Sequence, residues 1–385
     1  MKPHRIEFLG RRQFLGWAGA AAGGVSILGC RNTDSKSTAT LSGGSAGAFA
    51  GQTLRLFIYS GFWEKTIREV FAPRFQAQTG ATVIPDPGWW DSIPKLKASP
   101  PGQPAFDLVL TDATQGYPSI REGLFQKIDM TRIPNLGKIP PSVLDNWVYH
   151  EGYGIPFPDG AMTLAYNKKL VNFEPQSWGD LMRDDVKGKL GLYNSFYMSL
   201  YTFACLKVAV EGRPGSAAAE CANNLKGVIQ FARENRDRVK YWYPTSTDMT
   251  LSLSQQNCAL GNVSSGAMLS ALRQRPELGA VVPYADRAFV QLMWVIPVGA
   301  RKELAEEAIN IILSEEVQKA FVKNGSGTPL LSVAQEAAAS DPQWGQVYPS
   351  TEEALKNLQY YPYDAYFKDW DNIVATWDRE ILRKG

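Results

Sequence analysis

Short apolar runs of strand length alternate with amphipathic runs of helix length along most of this chain. That alternation restricts the fold more than any other feature. Residues 54–59 read as a strand, and residues 63–78 follow with helical spacing through Ile67, Val70, Phe71 and Phe75. Pro73 is expected to kink this helix and Gly80 to end it. Residues 81–84 form a second strand and residues 106–110 a third, an apolar run broken only by Asp107. Strand, helix, strand and helix in that order predict an α/β fold with a mostly parallel sheet covered on both faces. The pattern then repeats: a strand at 191–193, helices at 197–210 and 217–233, a strand at 258–263, and extended segments at 280–283 and 289–297. Residues 302–323 read as one long helix with Leu304, Ala308, Ile311, Ile312, Val317, Ala320 and Phe321 on one side. Two sheet-forming stretches imply two α/β lobes. The stiff passage 153–158 between them suits a strand that crosses from one lobe to the other.

Composition closes off several functions. The formal net charge is +2, with no basic stripe interleaved with aromatics, so a nucleic-acid partner is not expected. Only His4 and His150 are present, which argues against zinc hydrolases built on several histidines. His150 reads as a turn residue beside Glu151 and Gly152. Cys205, Cys221 and Cys258 lie outside any CxxC pair and are expected as buried thiols, with a Cys205–Cys221 bridge as the other option. Neither a cofactor nor a metal is expected.

Residues 1–30 have the layout of an export signal: Arg11-Arg12, an apolar run at 14–28, then Leu28-Gly29-Cys30. The paired arginines point to the twin-arginine route. The end of the run resembles the lipobox of bacterial lipoproteins, which implies lipidation of Cys30. Residues 31–51, rich in Ser, Thr, Gly and Ala, suit a flexible linker between lipid and folded body. The chain is therefore expected outside the cytoplasm, periplasmic or at the cell surface, held to a membrane through Cys30.

An ordered set of segments carries a wider resemblance. They are Leu56-Phe57-Ile58-Tyr59-Ser60-Gly61-Phe62, Gln78-Thr79-Gly80, Phe106-Asp107-Leu108-Val109-Leu110, Gly154-Ile155-Pro156-Phe157, Ser177-Trp178-Gly179-Asp180-Leu181 and Trp294-Val295-Ile296-Pro297. With them the chain resembles type II periplasmic substrate-binding proteins of ABC importers, nearest the spermidine/putrescine-binding branch, with iron- and thiamine-binding relatives further off. The resemblance implies a two-lobe fold with a hinge of crossing strands, no catalysis, and a monomer that delivers a small solute to permease subunits. It also implies a division into lobe 1 (52–155 and 284–340), lobe 2 (156–283) and a C-terminal helical tail (341–385).

The pocket carries over only in part. Tyr59 and Phe62, with Ser60 between them, fall where the polyamine branch has aromatic pocket residues, and aromatic faces attract alkylammonium groups. Leu292 stands where the family has a pocket aspartate, Met198 where it has a glutamate, and Val290 and Ser264 where it has tryptophans. Asp112 and Asp159 are acids that the family lacks at these places. They either face the cleft and select a cation or serve as turn residues that cap helices. Tyr193 and Tyr197 are possible oxygen donors for ferric iron. Ser246-Thr247-Asp248 reads as a helix start, where hydroxyls such as those of Ser246 and Ser264 could meet a small anion, or which is simply capped. The expected ligand is a polyamine or other small amine cation. The alternatives are ferric iron, a thiamine-like solute or a small anion, or an exported hydrolase working through carboxylates.

Overall fold

The computed structural model describes residues 47–356 and 358–382. The export signal, Cys30 and most of the linker lie outside the described residues. Strands β1 (Thr53–Tyr59), β2 (Thr82–Gly88) and β3 (Leu108–Asp112) are parallel, with β1 between the other two. β4 (Phe125–Gln126) is a short edge piece. β5 (Gly154–Asn167) is the longest strand, followed by β6 (Leu190–Tyr193), β7 (Val239–Tyr243), β8 (Leu260–Ser264), β9 (Leu278–Val281) and β10 (Phe289–Pro297). The order along the sheet is β2-β1-β3-β10-β5-β8-β6-β7, with β9 also on β5. β10 runs antiparallel to both β3 and β5, so the sheet is mixed rather than purely parallel.

β5 passes from one half of this sheet to the other. Its first residues, 154–158, pair with β10; its last, 162–167, pair with β8 and β9. Between them the register slips. Pro158 faces Gln291 and Ala161 faces Phe289, so Asp159 and Gly160 stand opposite Val290 alone. Two residues against one make a β-bulge, which bends the strand and redirects a side chain. Asp159 is in that bulge.

The first helix starts at Phe62 after Gly61 and changes to a π turn over Ile67–Phe71, just ahead of Pro73, which withholds a backbone N–H. Gly80 ends the segment in the left-handed region (φ 77°), donating its N–H to the Gln76 carbonyl at 2.9 Å. A Cβ there would come within 3.0 Å of Ala50 Cα, so this position needs glycine on two counts. Two helices expected as continuous are broken. Residues 302–323 form Lys302–Ile312 and Glu315–Lys323, with Ser314 extended between them. Residues 217–233 split at Asn224, which caps Leu225–Asn235 by accepting from Gly227 N. In both places a residue suited to the N-cap overrides the apolar periodicity.

Asp107 explains why an acid interrupts an apolar run. It is 4% exposed and accepts from Arg55 N at 2.8 Å and from Arg301 at N (3.2 Å), Nε (3.0 Å) and Nη2 (2.8 Å). This clamp ties β1 to the start of the Lys302–Ile312 helix. The aromatic tail lies against both halves of the sheet. Tyr348 hydroxyl donates to the Gly325 carbonyl at 2.9 Å, and Trp377 Nε1 to the Asn194 carbonyl at 2.9 Å. Phe289 N donates to the Gln359 carbonyl at 2.8 Å, which fastens the tail to β10. Cys205, Cys221 and Cys258 are buried free thiols. No described helix is long and apolar enough to cross a membrane.

Candidate binding site

Most of the residues singled out from the sequence lie at carboxyl ends of strands or in the first turn of the helix that follows. In open α/β sheets that is where ligands bind. Tyr59 closes β1, Asp112 closes β3, Tyr193 closes β6 and Ser264 closes β8. Phe62 and Tyr197 sit in the first turns of the helices Phe62–Thr66 and Phe196–Val210. Phe62 reaches the far half of the sheet: a Cβ on Gly266, just after β8, would lie 3.9 Å from its ring.

Asp112 is 6% exposed and caps the helix Ala113–Arg121, accepting from Thr114 N at 2.7 Å, Gln115 N at 3.3 Å and the Thr114 hydroxyl through Oδ1. Its other oxygen, Oδ2, accepts from the Tyr59 hydroxyl at 3.3 Å. Capping and facing the site are therefore compatible. Burial pushes the Asp112 carboxyl above its usual range, against the lowering effect of these hydrogen bonds. Asp159, partly buried in the bulge, makes no side-chain hydrogen bond or ion pair among the described residues. Burial raises its carboxyl to about 7.

The two acids share surroundings. The Tyr59 phenol is pushed well up by burial first, then by Asp112, and further by the charge of Asp159. Burial and then Asp159 do the same to Tyr348; burial, Tyr363 and then Asp112 do so to Tyr197. Neither Asp112 nor Asp159 forms an ion pair with lysine or arginine among the described residues. Two carboxyls with restricted access to water and without a counter-charge are costly in an empty site, and a cation near them relieves that cost.

The register of the sheet bears on position 292, where the resemblance implies an acid. Leu292 on β10 pairs directly with Asp112 on β3. Residues directly opposite project from the same face about 5 Å apart. A carboxyl carried at 112 thus reaches the region that an acid at 292 would serve. Val290, where the resemblance implies a tryptophan, likewise stands opposite the bulge that holds Asp159.

Other candidates are placed differently. Thr245, not Ser246, caps the helix Ser246–Ser254, and Asp248 accepts from the Thr245 hydroxyl at 2.6 Å. Asp248 lines a separate depression of about 440 Å³ with Lys240 and Tyr241. The hydroxyl of Ser264 donates to that of Ser246 at 3.0 Å, so the two engage each other. Ser60 takes part through its backbone N–H, donated to Gly88. Tyr193 stacks on Tyr243, with centroids 5.2 Å apart. His150 is exposed and bonded to Asp145 at 2.9 Å. No group of three or more His, Cys, Asp or Glu side chains placed to hold a metal ion occurs among the described residues.

Sequence reasoning missed two residues. Asn262 on β8 is fully buried: Oδ1 accepts from Tyr193 N at 2.9 Å, and Nδ2 donates to the hydroxyls of Ser199 (3.2 Å) and Thr202 (3.0 Å). It fixes the β6 end and the helix that presents Tyr197. Asn262→Leu orphans the Tyr193 N–H and is expected to cost about 2 kcal/mol. A urea unfolding midpoint equal to wild type would contradict this role. Trp89, next after β2, stacks on Tyr59 with centroids 5.2 Å apart and planes 17° apart. Adjacent tryptophans behind Pro-Asp-Pro-Gly were the signal for it.

Known proteins share this fold. Residues 71–349 match a family described as bacterial extracellular solute-binding protein. The spermidine/putrescine-binding periplasmic protein of Escherichia coli K12 is 26% identical over 328 residues, covering 82% of this chain and 89% of that one. A spermidine/putrescine ABC transporter substrate-binding protein from Streptococcus pneumoniae superposes with a TM-score of 0.68 at 19% identity, covering 85% of this chain and 99% of the other. A structure described as the Atu4243 GABA receptor gives a TM-score of 0.70 at 17% identity over 87% of this chain and 99% of its own.

Proposed function

The chain belongs to the bacterial extracellular solute-binding protein family, and we propose that this member captures a small amine cation and delivers it to the permease of an ABC importer. Two lobes, divided where β5 passes between the half-sheets, close on the solute. A solute drives closure only by contacting both halves at once, because it must bind the closed state better than the open one. Lipid on Cys30 would hold the protein at the membrane near its permease.

One observation carries the choice of ligand. Asp112 stands across the β3–β10 ladder from Leu292, where the resemblance implies an acid, and it has no cationic partner of its own among the described residues. Asp159 adds a second unpaired carboxyl, and Tyr59 an aromatic ring, within reach of both charges. Ammonium groups suit such a site through charge-assisted hydrogen bonds and through contact with ring faces.

A thermal-shift screen of the purified protein against linear amines, sugars, amino acids and small anions tests this reading. Stabilisation by an unmodified amine, without product, is expected. Turnover of a compound, or a shift with anions alone, would overturn it.

A pH dependence follows from Asp159. A cation binds the ionised carboxyl, so binding weakens as pH falls through about 7, where that carboxyl takes up its proton. Affinity should drop about tenfold from pH 8 to pH 6, with release of a proton on binding near neutrality. Calorimetric titration at the two pH values checks this, and equal affinities would contradict it.

A further inference from the structure

We infer that Trp89 is an outer subsite whose free indole face takes a third cationic group of the solute, beyond the two held by Asp112 and Asp159, so that a linear triamine is preferred to a diamine. This rests on the amine reading of the site. Trp89 follows β2 directly, and the last residue of that strand, Gly88, pairs with Tyr59 in the β1–β2 ladder. One face of the indole is stacked on Tyr59, whose hydroxyl donates to Asp112, so ring, ring and carboxyl form one continuous array. The residue nonetheless remains 54% exposed, with Trp90 beside it at 56%, so aromatic surface stays open to solvent next to the stacked pair.

The segment is also held in place. Trp89 N donates to Asp91 Oδ1 at 3.1 Å, and the Trp90 carbonyl accepts from Gln115 Nε2 at 3.1 Å. Gln115 belongs to the first turn of the helix that Asp112 caps. The loop bearing the indole is thereby tied to the same turn as the inner carboxyl. A ring fixed at the rim, with one face committed and the other open to solvent, is built to receive something planar or cationic. Tryptophan is the best of the aromatic side chains for an ammonium group.

Titration calorimetry of wild type, Trp89→Ala and Trp89→Phe with a 1,4-diamine and with a linear triamine tests the inference. Trp89→Ala should lose about tenfold in affinity for the triamine and less than about twofold for the diamine, and Trp89→Phe should recover part of the loss. Equal losses for both amines would make Trp89 a support for Tyr59 and overturn the subsite. No loss for either would also overturn it, including the case where uptake in cells falls and the ring serves the permease instead. If wild type binds neither amine, the amine reading itself fails, and the subsite with it.

Discussion

An Asp112→Asn/Asp159→Asn variant is expected to bind amines at least a hundredfold more weakly than wild type and, when empty, to melt at a higher temperature at pH 8. The affinity loss follows from removing two charged acceptors, at about 1.5–3 kcal/mol for each hydrogen bond to a charged group. The gain in stability follows from the sign of the shifts. Both carboxyls titrate above their usual range in the folded chain, Asp159 at about 7. Folding therefore favours their protonated forms. The stability this gives is present at low pH, declines as pH rises from about 4, and is gone above about 7. Asparagine has no charge to lose and keeps an oxygen to accept from Thr114 N and Gln115 N. Melting curves of the empty proteins between pH 4 and pH 8 should converge at the acid end and separate towards pH 8. A variant that retains affinity, or melts lower than wild type at pH 8, would show that these acids are structural.

The opposite outcome is expected at Asp107. Asp107→Ala removes the acceptor for Arg55 N and for three nitrogens of Arg301. Arg301 is half exposed and can turn to water, so the cost stays below that of a fully buried ion pair. The backbone N–H groups have less freedom, and the expected loss is about 3 kcal/mol. Urea unfolding should show a lower midpoint with an unchanged slope. An unchanged midpoint would remove Asp107 from the set of fold-determining residues.

Local chemistry accounts for what could be read from the sequence. Apolar runs located the strands, since a strand buried on both faces leaves a continuous signature, as in β10. The edges were less legible. The third strand was expected at 106–110 but spans Leu108–Asp112: the register with β1 starts at Leu108, Asp107 joins β1 through its N–H to the Arg55 carbonyl at 2.7 Å and the arginine clamp, and Phe106 is buried by packing. That displacement places Asp112 within the strand and on the helix cap together. The resemblance pointed to Tyr59 and Phe62, and it implied acids at 292 and 198, where this chain has Leu and Met. It had no means of showing where a substitute would stand. The Leu292–Asp112 pairing is set by how two distant strands meet, and a shift of one residue would have turned Asp112 to the other face. The bulge at Asp159 is equally a property of the paired strands. Trp89 comes just past the end of β2, where the alternation of the strand no longer operates, so only the folded chain brings its ring onto Tyr59.

The account comes down to an amine cation held between two unpaired carboxyls. Native mass spectrometry of the chain purified from its own cells, then again after adding a saturating linear triamine, tests this most directly. One amine-sized mass per chain is the predicted result, lost in the Asp112→Asn/Asp159→Asn variant. A chain that stays bare in saturating amine, or that carries an anion in its place, would contradict it.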